Sequence, residues 1–342
     1  MTHDIRETSA TPPQVALLQM MTGYWVSQSI YVAAKLGIAD LLGGGPRHYE
    51  SMAGATQTHA PSLYRLLRAL ASVGVFRETE PGCFDVTPTA ALLQSTNAES
   101  MRALAVMYCE EQYRAWSDML TSVQTGQTAF ERVFGTTYFT HLAQHPESNE
   151  TFNQAMTGWS AQLDHAVLAA YDFSRFATVV DVGGGYGRLL TSILHAHPVA
   201  RGVLFDQPHV IAGASELLRA AGLDGRCELV GGDFFVEVPR NGDAYILSQI
   251  VHDWNDDRSV AILKTCRRAI APTGRLLLVE MVIATGNNPD FGKFLDLHML
   301  ALVGGRERTQ SEYRDLLAEA GFQVTRVVPT AAGASIVEAV PV

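Results

Sequence analysis

Thr178-Val-Val-Asp-Val-Gly-Gly-Gly-Tyr-Gly-Arg188 is the stretch whose reading decides the fold. Val179 to Val182 is a short apolar run of the kind that forms a fully buried strand. It enters a glycine-rich turn directly. Leu189, Leu190, Ile193 and Leu194 then recur at helical spacing. Strand, glycine turn and helix together open an α/β nucleotide-binding fold. Gly183, Gly185 and Gly187 let a backbone come close to a ligand where a Cβ would collide. The spacing is G-x-G-x-G, whereas dinucleotide-binding turns read G-x-G-x-x-G. Asp181, just ahead of the turn, is expected to be buried and so to need a partner.

Outward from that turn, regular β/α alternation begins at Phe176. Strands are expected at Thr178–Val182, Gly202–Asp206, Cys227–Val230, Ala244–Ile250, Arg275–Met281, Phe322–Val328 and Ser335–Val340, with helices in most of the gaps. That order implies a mostly parallel sheet covered on both faces. Ligands of such sheets lie beyond the carboxyl ends of the strands. Asp206 ends the second strand and suits ribose hydroxyls. Asp233 and Phe234 follow the third and suit the edge and face of a purine. An acidic set fits a positively charged cofactor, and no G-x-x-x-x-G-K-[ST] loop is present for a triphosphate. His252, after the fourth strand, is the candidate base, with Trp254 as a further stacking surface. Glu280 ends the fifth strand, and Glu307 stands in Gly304-Gly-Arg-Glu-Arg-Thr309. A carboxylate on one imidazole nitrogen raises the basicity of the other. Asp256 and Asp257 read as caps of a helix near Arg258 rather than as metal ligands.

Upstream, residues 1–13 read as a polar mobile arm. Gln14 to Leu42 has a helical pattern with apolar residues on nearly all sides, as for a helix buried on more than one face at a subunit interface. A helix over Pro61–Gly74 and a hairpin turning at Pro81-Gly82 complete a winged helix. Residues 1–100 hold six Lys/Arg against eight Asp/Glu, so dimerisation is favoured over DNA binding. Residues 97–170 read as mostly helical, with an aromatic loop over Phe130–Phe139. Its Met and aromatic stripes suit either helix packing or a pocket for a flat aromatic ligand. The net charge of -10 argues against a nucleic-acid partner. No apolar run suggests a membrane span, and four scattered cysteines suit a cytoplasmic protein.

The segments Val179–Gly187, Phe205–Ile211, Gly231–Phe235, Val251–Trp254 and Gly304–Thr309 resemble the plant caffeate-type and bacterial natural-product O-methyltransferases that use S-adenosylmethionine. The resemblance spans almost the whole chain. Its H-D-W…E…G-G-R-E-R-T pattern is specific, because a plain methyltransferase fold does not require it. Tyr108 to Trp116 adds a looser likeness to phenazine methyltransferases. The resemblance implies an N-terminal winged-helix dimerisation domain over 1–96, a helical linker and substrate cap over 97–172, and a Rossmann-like domain over 173–342. That domain's sheet has seven strands, mostly parallel, the last antiparallel. It implies S-adenosylmethionine as cofactor and S-adenosylhomocysteine as product, held by Gly183, Gly185, Asp206, Gln207, Asp233, Phe234, Ser248 and Trp254. Ser248 departs from the plant enzymes, which carry Lys there. His252 is implied as base, flanked by Glu280 and Glu307, with no metal. Met107, Tyr108, Trp116, Phe152, Met156, Trp159, Asp253, His298 and Met299 are expected at an aromatic substrate, in a homodimer. A same-fold enzyme with N-methylating or non-methylating chemistry, or an NAD-dependent oxidoreductase, is the competing expectation.

Overall fold

The computed structural model describes residues 12–342, leaving aside the side chains of residues 160–162. The expected arm falls outside the described residues up to residue 11; Pro13 opens a helix. Two compact units divide the chain after Glu110.

In the first unit the helical stretch expected over Gln14–Leu42 is three helices, Pro13–Met21, Gly23–Lys35 and Ile38–Leu41. The Thr22 hydroxyl bonds back to Leu18 O at 2.8 Å, and Gly37 takes φ 66°, a left-handed conformation that breaks the helix. Within the chain the first helix buries no residue, and the second buries Ala33 and Ala34. The next hydrophobic layer does form. Ala33, Ile38, Met52, Leu67, Phe76 and Phe84 make a core under the helix Ala60–Ser72. The hairpin turns at Pro81-Gly82 as expected, and Arg47–His48 adds a third antiparallel strand to it.

The second unit contains the seven-stranded sheet: β1 (Thr178–Val182), β2 (Arg201–Asp206), β3 (Cys227–Gly231), β4 (Ala244–Ser248), β5 (Arg275–Glu280), β6 (Phe322–Pro329) and β7 (Ser335–Pro341). Their order is β3-β2-β1-β4-β5-β7-β6, and β7 runs antiparallel to both neighbours. Side-chain alternation sends Val179, Leu204, Ile246 and Leu277 into one apolar layer. Val180, Val203, Tyr245 and Leu276 enter the other. Helices cover both layers, which is why these strands read as continuous apolar runs. The order reverses between β1 and β4, so the glycine turn and the end of β4 open on one crevice.

β4 ends at Ser248, two residues short of the expected Ile250. Gln249 adopts φ 55°, unusual for a side-chain-bearing residue, and makes the last bond of this edge, its amide donating to Val279 O at 2.9 Å. The expected aromatic loop over Phe130–Phe139 is instead two short helices, Ala129–Phe134 and Tyr138–Gln144, separated at Gly135 with φ 73°. Phe130 and Tyr138 are buried in a cluster with Ala301 and Leu302, so these two rings serve packing.

Candidate active site

The glycine turn is built for close approach. Gly183, Gly185 and Gly187 have φ of 72°, 59° and 77°, values that side chains disfavour. A Cβ on Gly183 would lie 2.6 Å from Ile250 Cδ1. Asp206, at the end of β2, accepts from the Gly185 amide at 2.8 Å and from the Gln207 amide at 2.6 Å. Asp206, rather than Asp181, thus tethers the turn's own amides. Asp181 lies beneath Gly184, where an added Cβ would meet its carboxyl at 2.5 Å. Burial first, then the charges of Asp164 and Asp206, push its pKa up to about 7. Burial also raises Asp206. Buried acids that resist ionisation beside a backbone-surfaced turn suit a cationic nucleoside such as S-adenosylmethionine, whose approach would favour their charged form.

On the neighbouring rim, the Asp233 carboxylate accepts from the Phe235 amide at 2.9 Å. Phe234 and Phe235 meet Trp254 edge-on, with centroids 6.0 and 4.9 Å away. The Arg258 guanidinium lies 4.6 Å from the Trp254 ring centroid, and Phe139 stacks beside Trp254 at 6.3 Å. Trp254 is therefore a packing hub between the rim of β3 and the turn after β4. Ser248 is the last residue of β4.

His252 occupies a single 3₁₀ turn, Val251–Asp253. Its Nδ1 lies 2.7 Å from Glu307 Oε1 and 3.7 Å from Glu280 Oε2, and its Nε2 lies 3.5 Å from Asp253 Oδ1. Glu280 is fully buried, and its Oε1 accepts from the amides of Ile250 and Val251 at 3.2 and 2.8 Å. It fixes the turn as well as its charge. Burial alone would lower the pKa of His252; the charges of Glu280 and Asp253 and the hydrogen bond to Glu307 outweigh it and bring it to about 10. Burial raises Asp253 to about 6 and also raises Glu280. The donor atoms of His252, Glu280 and Glu307 lie within 4.8 Å of one another, the set among the described residues with metal-ligand spacing. The 2.7 Å contact commits Nδ1 to Glu307 and leaves Nε2 for chemistry.

Arg308 is a participant that the sequence reading passed over. Its side chain is buried, with 1% exposure. It donates to Val251 O at 3.2 Å, Trp254 O at 3.0 Å and Ser259 Oγ at 3.2 Å, and to Asp256 Oδ1 at 2.7 and 2.9 Å. It clamps both ends of the His252 turn to the segment that carries Glu307. Gly305 lets that segment approach: a Cβ there would fall 2.0 Å from His252 O. The helix after the turn is capped by Asn255, whose side chain accepts from the Arg258 amide at 3.0 Å. Asp256 and Asp257 are not its caps. They sit in its first turn, and Asp256 pairs with Arg308.

The other expected substrate residues stand on several helices. Trp116 donates to His298 Nδ1 at 2.8 Å. Trp159 approaches Phe291 at 6.2 Å, and Phe152 meets Tyr138 edge-on at 5.9 Å. Met156 is half-buried on the helix Pro146–Ala170. Met299 is buried in the layer with Met281 and Leu295. Met107 and Tyr108 stand on the helix Arg102–Cys109 of the first unit.

A doubly covered sheet with a glycine cradle at its switch point and a buried His–Glu pair beside it has the architecture of a methyltransferase fold. Residues 116–323 match the O-methyltransferase domain and residues 18–96 the O-methyltransferase dimerisation domain, so the chain belongs to that S-adenosylmethionine-dependent enzyme family. It is 58% identical to the phenazine O-methyltransferase PhzM of Lysobacter antibioticus, over 97% of this chain and 98% of that protein. It is 36% identical to the phenazine-1-carboxylate N-methyltransferase of Pseudomonas aeruginosa, over 91% of this chain and 92% of that one. Among solved structures, NcsB1 of neocarzinostatin biosynthesis, bound to S-adenosylmethionine and 2-hydroxy-5-methyl naphthoic acid, superposes with a TM-score of 0.83 at 33% identity. That match covers 98% of this chain and all of NcsB1. Among the described residues no helix is long and apolar enough to cross a membrane.

Proposed function

We propose that this enzyme methylates a hydroxyl of a flat aromatic secondary metabolite, a phenazine or polyketide phenol or an N-hydroxyl relative, with His252 as general base. The observation that carries this reading is the His252–Glu307 contact of 2.7 Å beside the glycine cradle. Gly183, Gly185, Asp206, Gln207, Asp233, Phe234, Ser248 and Trp254 would hold S-adenosylmethionine, which when bound supplies an electrophilic methyl group. His252 Nε2 takes the hydroxyl proton. Glu307 holds the ring and, with Glu280, stabilises the imidazolium that results. A phenol pKa near ~10 is matched by the raised value of His252, so proton transfer costs little. Trp116, Phe152, Met156, Trp159, Asp253, His298 and Met299 are assigned to the aromatic acceptor. A ring nitrogen bears no proton to remove, so the buried base favours an oxygen acceptor over the N-methylation of the Pseudomonas relative.

In this reading residues 1–96 serve homodimerisation, 97–172 cap the substrate and 173–342 bind the cofactor. The four free cysteines suit a cytoplasmic enzyme. The test is a methyl-transfer assay with S-adenosylmethionine against hydroxylated phenazines and polyketide phenols, read by mass spectrometry. A mono-methyl ether is expected, and His252→Ala should lower kcat by ~10²–10⁴-fold while calorimetry still shows cofactor binding. Binding of NAD without binding of S-adenosylmethionine would overturn the reading.

A further inference from the structure

The two carboxylates beside His252 have more acceptor capacity than the hydrogen bonds around them use. Glu280 spends Oε1 on the amides of Ile250 and Val251. Its Oε2 is buried and accepts no hydrogen bond, and the same holds for Glu307 Oε2. Both residues are sealed from water, at 0% and 1% exposure. A buried acceptor without a donor costs about 1–3 kcal/mol, and more when charged. Both carboxylates flank one imidazole nitrogen. His252 Nδ1 lies 2.7 Å from Glu307 Oε1 and 3.7 Å from Glu280 Oε2, and one ligand atom from each of the three residues lies within 4.8 Å of the others. Tetrahedral zinc holds nitrogen and oxygen at about 2.0–2.2 Å, which sets its ligand atoms roughly 3.3–3.6 Å apart. The two measured contacts bracket that spacing, so neither has far to move. Charge agrees with geometry. A neutral imidazole and two carboxylates carry two negative charges, which a divalent ion balances. A proton on the ring balances only one, and an unbalanced buried charge is costly. Imidazole and carboxylate together suit zinc, whereas magnesium keeps its waters and octahedral geometry and fits a dry cluster poorly.

We propose that His252, Glu280 and Glu307 form an inhibitory site for a divalent zinc-like ion. The ion is an inhibitor here, not a cofactor. It takes the Nδ1 lone pair and one oxygen from each carboxylate. A ligating imidazole is neutral, so the one proton that the ring keeps sits on Nε2. Starting from the imidazolium, the other proton leaves to solvent as the ion binds. An Nε2 that bears a proton has no lone pair for an acceptor hydroxyl, so the base is switched off. The site rests on the distances above, and the inhibition rests on the reading of His252 as base. His252 is the most exposed of the three, at 8%. The ion therefore enters past the ring, and inhibition should set in over time rather than at once.

Zinc chloride is the probe for inhibition. Co²⁺, which accepts the same ligands and absorbs visible light when four-coordinate, is the probe for the site. Wild-type enzyme stripped with a chelator and then mixed with zinc chloride should lose methyl transfer over time and regain it with EDTA. Co²⁺ should raise a visible band that saturates at about one ion per chain. Glu280→Gln and Glu307→Gln each replace a charged ligand oxygen by an amide. Each should weaken Co²⁺ binding at least ~10²-fold, the upper end for losing even an outer partner of a metal ligand. Calorimetry with S-adenosylhomocysteine certifies that each variant is folded, and the wild-type spectrum decides without any variant. No Co²⁺ band in the wild type, or a band unmoved in both glutamine variants, would overturn the site whatever the reaction proves to be. Metal binding with no loss of methyl transfer would overturn the switch. Full methyl transfer by His252→Ala would overturn the base reading, and the switch with it, while the spectrum still judges the site.

Discussion

At the scale of the residue, the chemistry turns on how three carboxylates treat one imidazole. Burial opposes a charged ring, and its effect is the largest on His252, yet Glu280, Asp253 and Glu307 together carry the pKa to about 10. Only the deprotonated ring can accept a proton. The rate governed by free enzyme, kcat/KM, should therefore rise about tenfold per pH unit on approach to that value. Removing one carboxylate removes stabilisation of the imidazolium, so the folded-state pKa falls. Glu280→Gln keeps a carbonyl oxygen for the Ile250 and Val251 amides and deletes the charge. The rising limb of its pH–rate profile should shift to lower pH relative to wild type. Steady-state kinetics over pH 6–11 measures this, and a limb that stays in place or moves upward would exclude electrostatic control by Glu280.

At the scale of the element, the proposed base His252 is only as well placed as the turn that carries it. A three-residue 3₁₀ turn has little hydrogen bonding of its own, and Arg308 supplies the missing constraint through Val251 O and Trp254 O on either side of His252. Lysine preserves the charge of Arg308 but cannot fork to several acceptors. Arg308→Lys should lower kcat by roughly 10²-fold, the scale of a misplacement near 1 Å, with a smaller change in KM for S-adenosylmethionine. It should also cost about 1–3 kcal/mol of stability for the carbonyls left unmet. Full kcat with a lowered Tm would assign Arg308 to folding alone. This clamp was not legible in the sequence, because its partners are main-chain carbonyls that no side-chain motif marks. His252, Glu280 and Glu307 were legible: each stands at a strand end or in a glycine-bounded loop that the β/α rhythm places on one rim. The strands were legible for the same reason, as doubly buried runs. Their ends were less so: Ile250 is apolar enough to extend β4, and only the φ of Gln249 stops it. The contact of Trp116 with His298 spans two helices far apart in the chain, and no local pattern joins them.

At the scale of the whole molecule, the first helices of the chain present apolar surface that the chain itself does not cover. Leu18, Met20 and Trp25 are 54%, 77% and 60% exposed, and the helix Pro13–Met21 has no buried residue. A nine-residue helix is marginal in water without tertiary packing, and large apolar side chains exposed together on consecutive helices suit an interaction surface. The patch overlaps the dimerisation-domain match at 18–96, so a second copy of the chain is the partner that the proposed homodimer places on it. The same periodicity that made Gln14–Leu42 read as interface also hid its breaks at Thr22 and Gly37, since apolar positions continue through both. Each chain carries a net charge of -10, so association works against long-range repulsion and must be driven by apolar contact; raising salt should tighten the dimer. A two-fold interface feels each substitution twice. Leu18→Asp or Trp25→Asp should therefore lose about 3–6 kcal/mol of association energy, from ~1.5–3 kcal/mol for each buried side chain. Sedimentation should find two chains for the wild type at micromolar concentration and one chain for the double variant, with circular dichroism of both alike. A double variant that sediments as two chains would place the interface elsewhere.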